Sequence, residues 1–272
     1  MPRAPFSMVP LPAQRSQAKP RKAGLTMLVD WGLPLGRTRD LLDLAGPYID
    51  LAKIATGTAR LYGEDQLAAK LALYEQHNVT SFLGGQFQEY VYATQGGEAL
   101  PAFLDEACRV GFTAVEISDN YVPLSRSQRR EQTTMALERG LSVLSEVGGK
   151  EDSHDPETLV ADARAALEAG ASLLLVEGAE LVEAGQSKRD LIVALRDGIG
   201  LEKLIFELPG PWVSGVNPSE IHDLKKLLVA QFGPDVNIGN VMPDDVIETE
   251  ALRVGLGVVG PKASVAADND GA

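Results

Sequence analysis

The chain is short of cysteine, histidine, aromatics and positive charge, and each shortage narrows what it can be. Cys108 is the single cysteine among 272 residues, so an intrachain disulfide is impossible, which fits a reducing, cytoplasmic compartment. The three histidines, His77, His154 and His222, show no spacing that suggests a zinc site. Aromatics make up 6% of the residues, so Leu, Val, Ile and Ala must fill the core. A formal net charge of −13 argues against the basic stripe that a nucleic-acid surface requires. No apolar run reaches the roughly 18 to 20 residues of a membrane span. None of this excludes a small anionic substrate, because lysines or a metal ion can reverse the sign inside one cleft.

What is present is a repeated unit: a short aliphatic run, a charge at its carboxyl end, then a helical stretch. Strands are expected at 25–29 (ending at Asp30), 49–54, 79–83, 113–117, 141–145, 172–176, 203–206 and 236–238. Helices are expected between them, at 37–45, 64–77, 100–109, 125–139, 155–169, 187–197, from Asn217, and from Pro243 to Arg253. Asp155-Pro156 and Asn217-Pro218 each pair a capping side chain with proline at the first helical position. Eight such units of about 30 residues predict a single (β/α)₈ TIM barrel over residues 23–260; a doubly wound open sheet is the alternative. Residues 1–22 hold Arg3, Arg15, Lys19, Arg21 and Lys22, several prolines and no acid, and are expected to be a disordered tail, as are residues 261–272. The literal Gly-x-Gly-x-x-Gly at Gly255–Gly260 follows a helix instead of a strand, the wrong context for a dinucleotide site.

Residues at the carboxyl ends of barrel strands converge on one mouth. Here those are Asp30, Lys53, Glu89, Glu116, Asp119, Glu146, Lys150, Glu177, Glu207 and Asn240. So many carboxylates in one opening would be costly without a cation or ion pairing. The expected cation is Mg²⁺, with oxygen ligands and a lysine for proton transfer or anion binding; the alternative is that several acids pair at the surface. Gly84, Gly85, Gly148 and Gly149 follow strands and either present N–H groups to an anion or form ordinary turns.

Several of these segments carry a resemblance. Gly111-Phe112-Thr113-Ala114-Val115-Glu116-Ile117-Ser118-Asp119, Ser145-Glu146-Val147-Gly148-Gly149-Lys150 and Val236-Asn237-Ile238-Gly239-Asn240 resemble signatures of the phosphosulfolactate synthase family. The likeness runs from about Gly24 to Gly257. It implies a TIM barrel that adds sulfite to phosphoenolpyruvate with Mg²⁺, working as a cytoplasmic homo-oligomer. Set on that pattern, Lys150 is the general-acid candidate, with Lys53 and Glu146 as further catalytic groups. Glu116, Asp119, Glu177 and Glu207 are the candidate metal ligands. Asp30, Trp31, Gly84, Gly85, Gly148, Gly149 and Asn240 are candidate substrate contacts. The chain also departs from the pattern: Trp31 stands where the family has Lys, Ala179 where it has Arg, and 254–259 has lost a run containing two arginines. Gln86 and Tyr121 differ too. The expectation is therefore a lyase- or synthase-type enzyme with an altered anion clamp, taking phosphoenolpyruvate or a related enolpyruvyl substrate. The alternative is a non-catalytic barrel acting as a binding protein, as the likeness to plant heat-stress-associated proteins suggests.

Overall fold

A computed structural model of the chain describes residues 5–149, 155–183 and 186–258. Eight parallel strands close into a barrel: β1 (Thr26–Asp30), β2 (Leu51–Ile54), β3 (Thr80–Leu83), β4 (Ala114–Ile117), β5 (Ser142–Val147), β6 (Leu173–Val176), β7 (Leu204–Glu207) and β8 (Ile238–Val241). Each strand pairs with its neighbours in chain order, and β1 closes on β8. The strands are short aliphatic runs because both of their faces are covered. Outward residues such as Leu28, Ile54, Val115, Val143, Leu174 and Phe206 pack under the helices. Inward residues form a second cluster that fills the barrel floor: Met27, Leu51, Phe82, Ala114, Leu144, Leu175 and Ile205.

Side chains alternate across a strand with period two, so the next inward position on each strand lies one layer nearer the mouth. Those positions are Val29, Lys53, Gly84, Glu116, Glu146, Glu177 and Glu207. Above an apolar floor, the barrel therefore carries a layer made largely of charge. On β8 the alternation is broken deliberately. Thr26 pairs with Ile238 but Leu28 pairs with Val241, so one extra residue bulges out of β8. Asn240 occupies that bulge with φ of 53°, a left-handed conformation that Asn tolerates better than most residues. A bulge re-aims a side chain, and Asn240 thereby lines the mouth although it lies within the strand.

The helices follow the expected order with two additions. Gly85–Gln95 is helical, where the sequence reading has only a glycine turn after β3. After β6 the chain forms a one-turn helix, Gly178–Leu181, and a small two-stranded hairpin before the helix Arg189–Ile199. Asp155 and Asn217 do cap their helices, each accepting from two backbone N–H groups. No helix among the described residues is long and apolar enough to cross a membrane.

Residues 5–22, the described part of the expected disordered amino-terminal tail, depart from that expectation, while residues 1–4 and the expected carboxyl-terminal tail, 261–272, lie outside the described residues. Residues 15–21 lie across the amino-terminal end of the barrel, tied there by three cations. Arg15 is buried and bonds Glu250 at 2.8 Å, Asp235 at 3.2 Å and the carbonyl of Gly24. Arg21 meets Asp50 at 2.9 Å, and the Lys19 ammonium donates to the carbonyls of Gly46, Ile49 and His77. The basic, proline-rich composition suggested a solvated arm. Its partners are acids and carbonyls far away in sequence, which local composition does not reveal. Removing one member of a buried ion network leaves the others unpaired. Arg15→Ala is expected to lower stability by about 3 kcal/mol, read as a lower urea midpoint; an unchanged midpoint would show that the strap contributes nothing.

Candidate active site

The charged layer defines the site. Lys53 on β2 reaches across the barrel to Glu116 on β4 at 2.9 Å, Glu207 on β7 at 3.1 Å and Glu146 on β5 at 3.8 Å. Glu146 on β5, Glu177 directly after β6 and Glu207 on β7 each offer a carboxylate oxygen, and these oxygens lie within 4.8 Å of one another. All four glutamates are buried. They border a cavity of about 180 Å³ that is also lined by Val29, Gly84, Asn240, Trp31 and Trp212.

The electrostatics follow from crowding like charges in a dry place. Burial works against the charge on Lys53, but Glu116, Glu207 and Glu146 outweigh it and hold its pKa well above the usual lysine value. Lys53 is thus a fixed positive charge and not a ready proton donor. Burial pushes the Glu116 carboxyl well above the ordinary range. Lys53 opposes that shift, while Glu146, which shares a hydrogen bond with Glu116, and Glu207 add to it. A protonated Glu116 hydrogen-bonded to Glu146 is the direction this geometry favours. Three clustered carboxylates with no sulfur or imidazole among them form a donor set suited to a hard divalent cation.

The other expected site residues divide sharply. Asp30 is fully buried and committed: one oxygen accepts from Lys70 at 2.6 Å and Tyr74 at 2.8 Å, the other from the N–H groups of Gly32 and Leu33. It is the anchor of the β1 loop and does not face the cavity. Asp119 pairs with Arg129 and lies outside the carboxylate triad. Glu89 is spent on the loop after β4, accepting from Ser118 and from the N–H groups of Tyr121 and Val122. Gly84 caps the unexpected helix and Gly85 begins it; a Cβ on Gly85 would lie 2.2 Å from the Ser118 hydroxyl. Gly148 has φ of 96°, and the N–H of Gly149 donates to Glu180 at 3.1 Å. Both glycines therefore serve the turn. Lys150 lies outside the described residues. Of the expected contacts, Gly84, Gly85, Trp31 and Asn240 line the cavity, together with Trp212, Gln86 and Thr56, which the sequence reading did not place there. Trp212 sits in the loop after β7; its only sequence signal is that every loop after a strand opens on the mouth.

The family model for (2R)-phospho-3-sulfolactate synthase (ComA) matches residues 14–258. The chain belongs to the phosphosulfolactate synthase family. It is 31% identical over 249 residues to the phosphosulfolactate synthase of Methanothermobacter thermautotrophicus, covering 88% of this chain and 91% of that one. It is 30% identical over 254 residues to that of Bacillus subtilis, covering 88% and 92%. It is also 20% identical over 263 residues to Protein HEAT-STRESS-ASSOCIATED 32 of Arabidopsis thaliana, covering 86% and 87%. Among solved structures, 3-hexulose-6-phosphate synthase superposes with a TM-score of 0.51 at 15% identity over 84% of this chain and 98% of the other. The YdjI aldolase of Escherichia coli K12 gives 0.52 at 13% identity, over 84% and 78%. At such identities these two show the barrel fold alone.

In this family member, the charged layer sets a pH dependence. Above about pH 4.5 the unfolded chain releases a proton that folded Glu116 keeps, so stability falls as pH rises from there toward the raised value. Glu116→Gln keeps the hydrogen bond without a titrating proton. In the presence of a chelator, its urea stability should fall less steeply between pH 5 and pH 8 than the parent's, leaving the variant the more stable at pH 8. Parallel curves would show that Glu116 is ionised in the folded protein.

Proposed function

We propose that the barrel mouth catalyses a Mg²⁺-dependent, lyase-type addition of a nucleophile to phosphoenolpyruvate or a related enolpyruvyl carboxylate. Sulfite is the nucleophile that the family resemblance implies. The observation that carries this reading is the juxtaposition of Glu146, Glu177 and Glu207 with Lys53 in one small cavity of a phosphosulfolactate synthase family member.

Glu146, Glu177 and Glu207 would hold the cation, which supplies Lewis-acid polarisation of the substrate's oxygens when bound. Lys53 faces them from β2 and, held charged, offsets negative charge that develops as the nucleophile adds. Neutral Glu116 contributes a hydrogen bond there without adding repulsion to an incoming carboxylate. Asn240, turned inward by its bulge, offers an amide to orient the substrate. Lys150, at the position implied by the family pattern, is the proton donor to the carbon adjacent to the one attacked. The substrate is a small anion, and the enzyme works in the cytoplasm as a homo-oligomer.

The similarity to Protein HEAT-STRESS-ASSOCIATED 32 motivates a second reading, a barrel that binds without catalysis. The charged layer favours the enzyme: burying carboxylates costs stability, and a purely structural barrel fills these positions with branched aliphatic residues.

The direct test mixes phosphoenolpyruvate, sulfite and Mg²⁺ with the protein and follows adduct formation by mass spectrometry, beside calorimetric titration of Mg²⁺ and phosphoenolpyruvate. Binding of neither would count against the enzyme reading. Turnover should stop on addition of EDTA and return with Mg²⁺; a rate that survives chelation excludes the metal role. Lys150→Ala should abolish turnover with little change in melting temperature, and a normal rate would remove Lys150 from the mechanism.

A further inference from the structure

The rim of the mouth carries a feature that the proposed chemistry does not use. The chain has two tryptophans, and both stand there. The rings of Trp31 and Trp212 lie 5.0 Å apart, tilted by 31°, and both border the cavity. Trp31 remains 48% exposed even after this contact, so much of a large π surface faces the opening. An indole left partly in water at a cleft, inside a chain with few aromatics, is a binding surface more than a packing one.

The platform is rigid. Asp30, clamped by Lys70 and Tyr74, accepts from the N–H groups of Gly32 and Leu33, and so fixes the backbone on both sides of Trp31. The Trp212 ring lies against Gly210, where a Cβ would come within 2.1 Å of it; only glycine admits the ring at that place. Preorganisation of this kind reduces the ordering cost of binding. The interior cavity holds about 180 Å³, below the roughly 300 Å³ at which drug-sized sites begin. It accommodates a small reacting end. Anything larger on the substrate must lie at the rim, against the indoles. Among the described residues bordering the cavity, Lys53 is the one cation, and its ammonium already engages Glu116 and Glu207.

We infer that the substrate carries a planar aromatic or heteroaromatic group that stacks on Trp31 and Trp212, while its small carboxylate end enters the charged layer. This inference rests on the proposed function for the carboxylate end and adds the substrate class. It assigns Trp31 the role of choosing the substrate.

Phenylpyruvate, pyruvate and phosphoenolpyruvate serve as probes, titrated calorimetrically into the full chain with Mg²⁺. Tryptophan emission, which here reports the mouth alone, is followed in parallel. Phenylpyruvate should bind about tenfold more tightly than pyruvate and shift the emission, a gain of the size that aromatic contacts supply. Trp31→Ala should erase that difference by weakening phenylpyruvate alone, and Trp31→Phe should restore most of it. Equal affinities for the two keto acids, tighter binding of phosphoenolpyruvate than of phenylpyruvate, or an unchanged preference in Trp31→Ala would each overturn the inference while leaving the carboxylate-binding function in place. Binding of none of the three overturns both.

Discussion

Among the described residues, four carboxylates and one ammonium share the upper interior of the barrel, and the rest of the site is arranged around that imbalance. Ionised groups taken out of water cost several kcal/mol each unless they are paired. The chain meets this cost in visible ways. Lys53 is drawn between Glu116, Glu146 and Glu207. Glu116 is held toward its neutral form. One oxygen each of Glu146, Glu177 and Glu207 lies within 4.8 Å of the others, a cluster of the hard donors that divalent cations take. An aliphatic layer would be the more stable solution at these positions, so their charge points to chemistry.

That layer stays in place because other polar groups, already fully engaged, fix the loops around it. Asp30 with Lys70 and Tyr74 sets the β1 loop, and Glu89 sets the loop after β4. The bulge in β8 turns Asn240 inward. At the opposite end, the strap through Arg15, Lys19 and Arg21 covers the strand starts. The division matches the rule for this architecture, in which active sites form at the carboxyl ends of the strands and residues at the amino ends serve stability.

Much of this was legible in the sequence, for identifiable reasons. Strand–helix alternation with caps at Asp155 and Asn217 gave the barrel, because period and capping are local properties. Glu116, Glu146, Glu177 and Glu207 were legible because each ends, or nearly ends, an aliphatic run. The roles of Asp30, Asp119 and Glu89 were not, because their partners Lys70, Arg129 and the N–H groups of Tyr121 and Val122 lie on helices and loops that pattern alone does not position. The helix Gly85–Gln95 escaped because its start is a glycine with no side-chain cap and its aromatics blur the period. The folded strap was hidden by a composition typical of disorder, and Trp212 by its place in a long loop.

The most direct test of the account is Mn²⁺ binding followed by electron paramagnetic resonance, with Mn²⁺ standing in for Mg²⁺. The account requires one saturable site per chain, lost in Glu177→Gln and in Glu207→Gln, both still folded by circular dichroism. No saturable site in the parent protein, or a site that survives both substitutions, would contradict it.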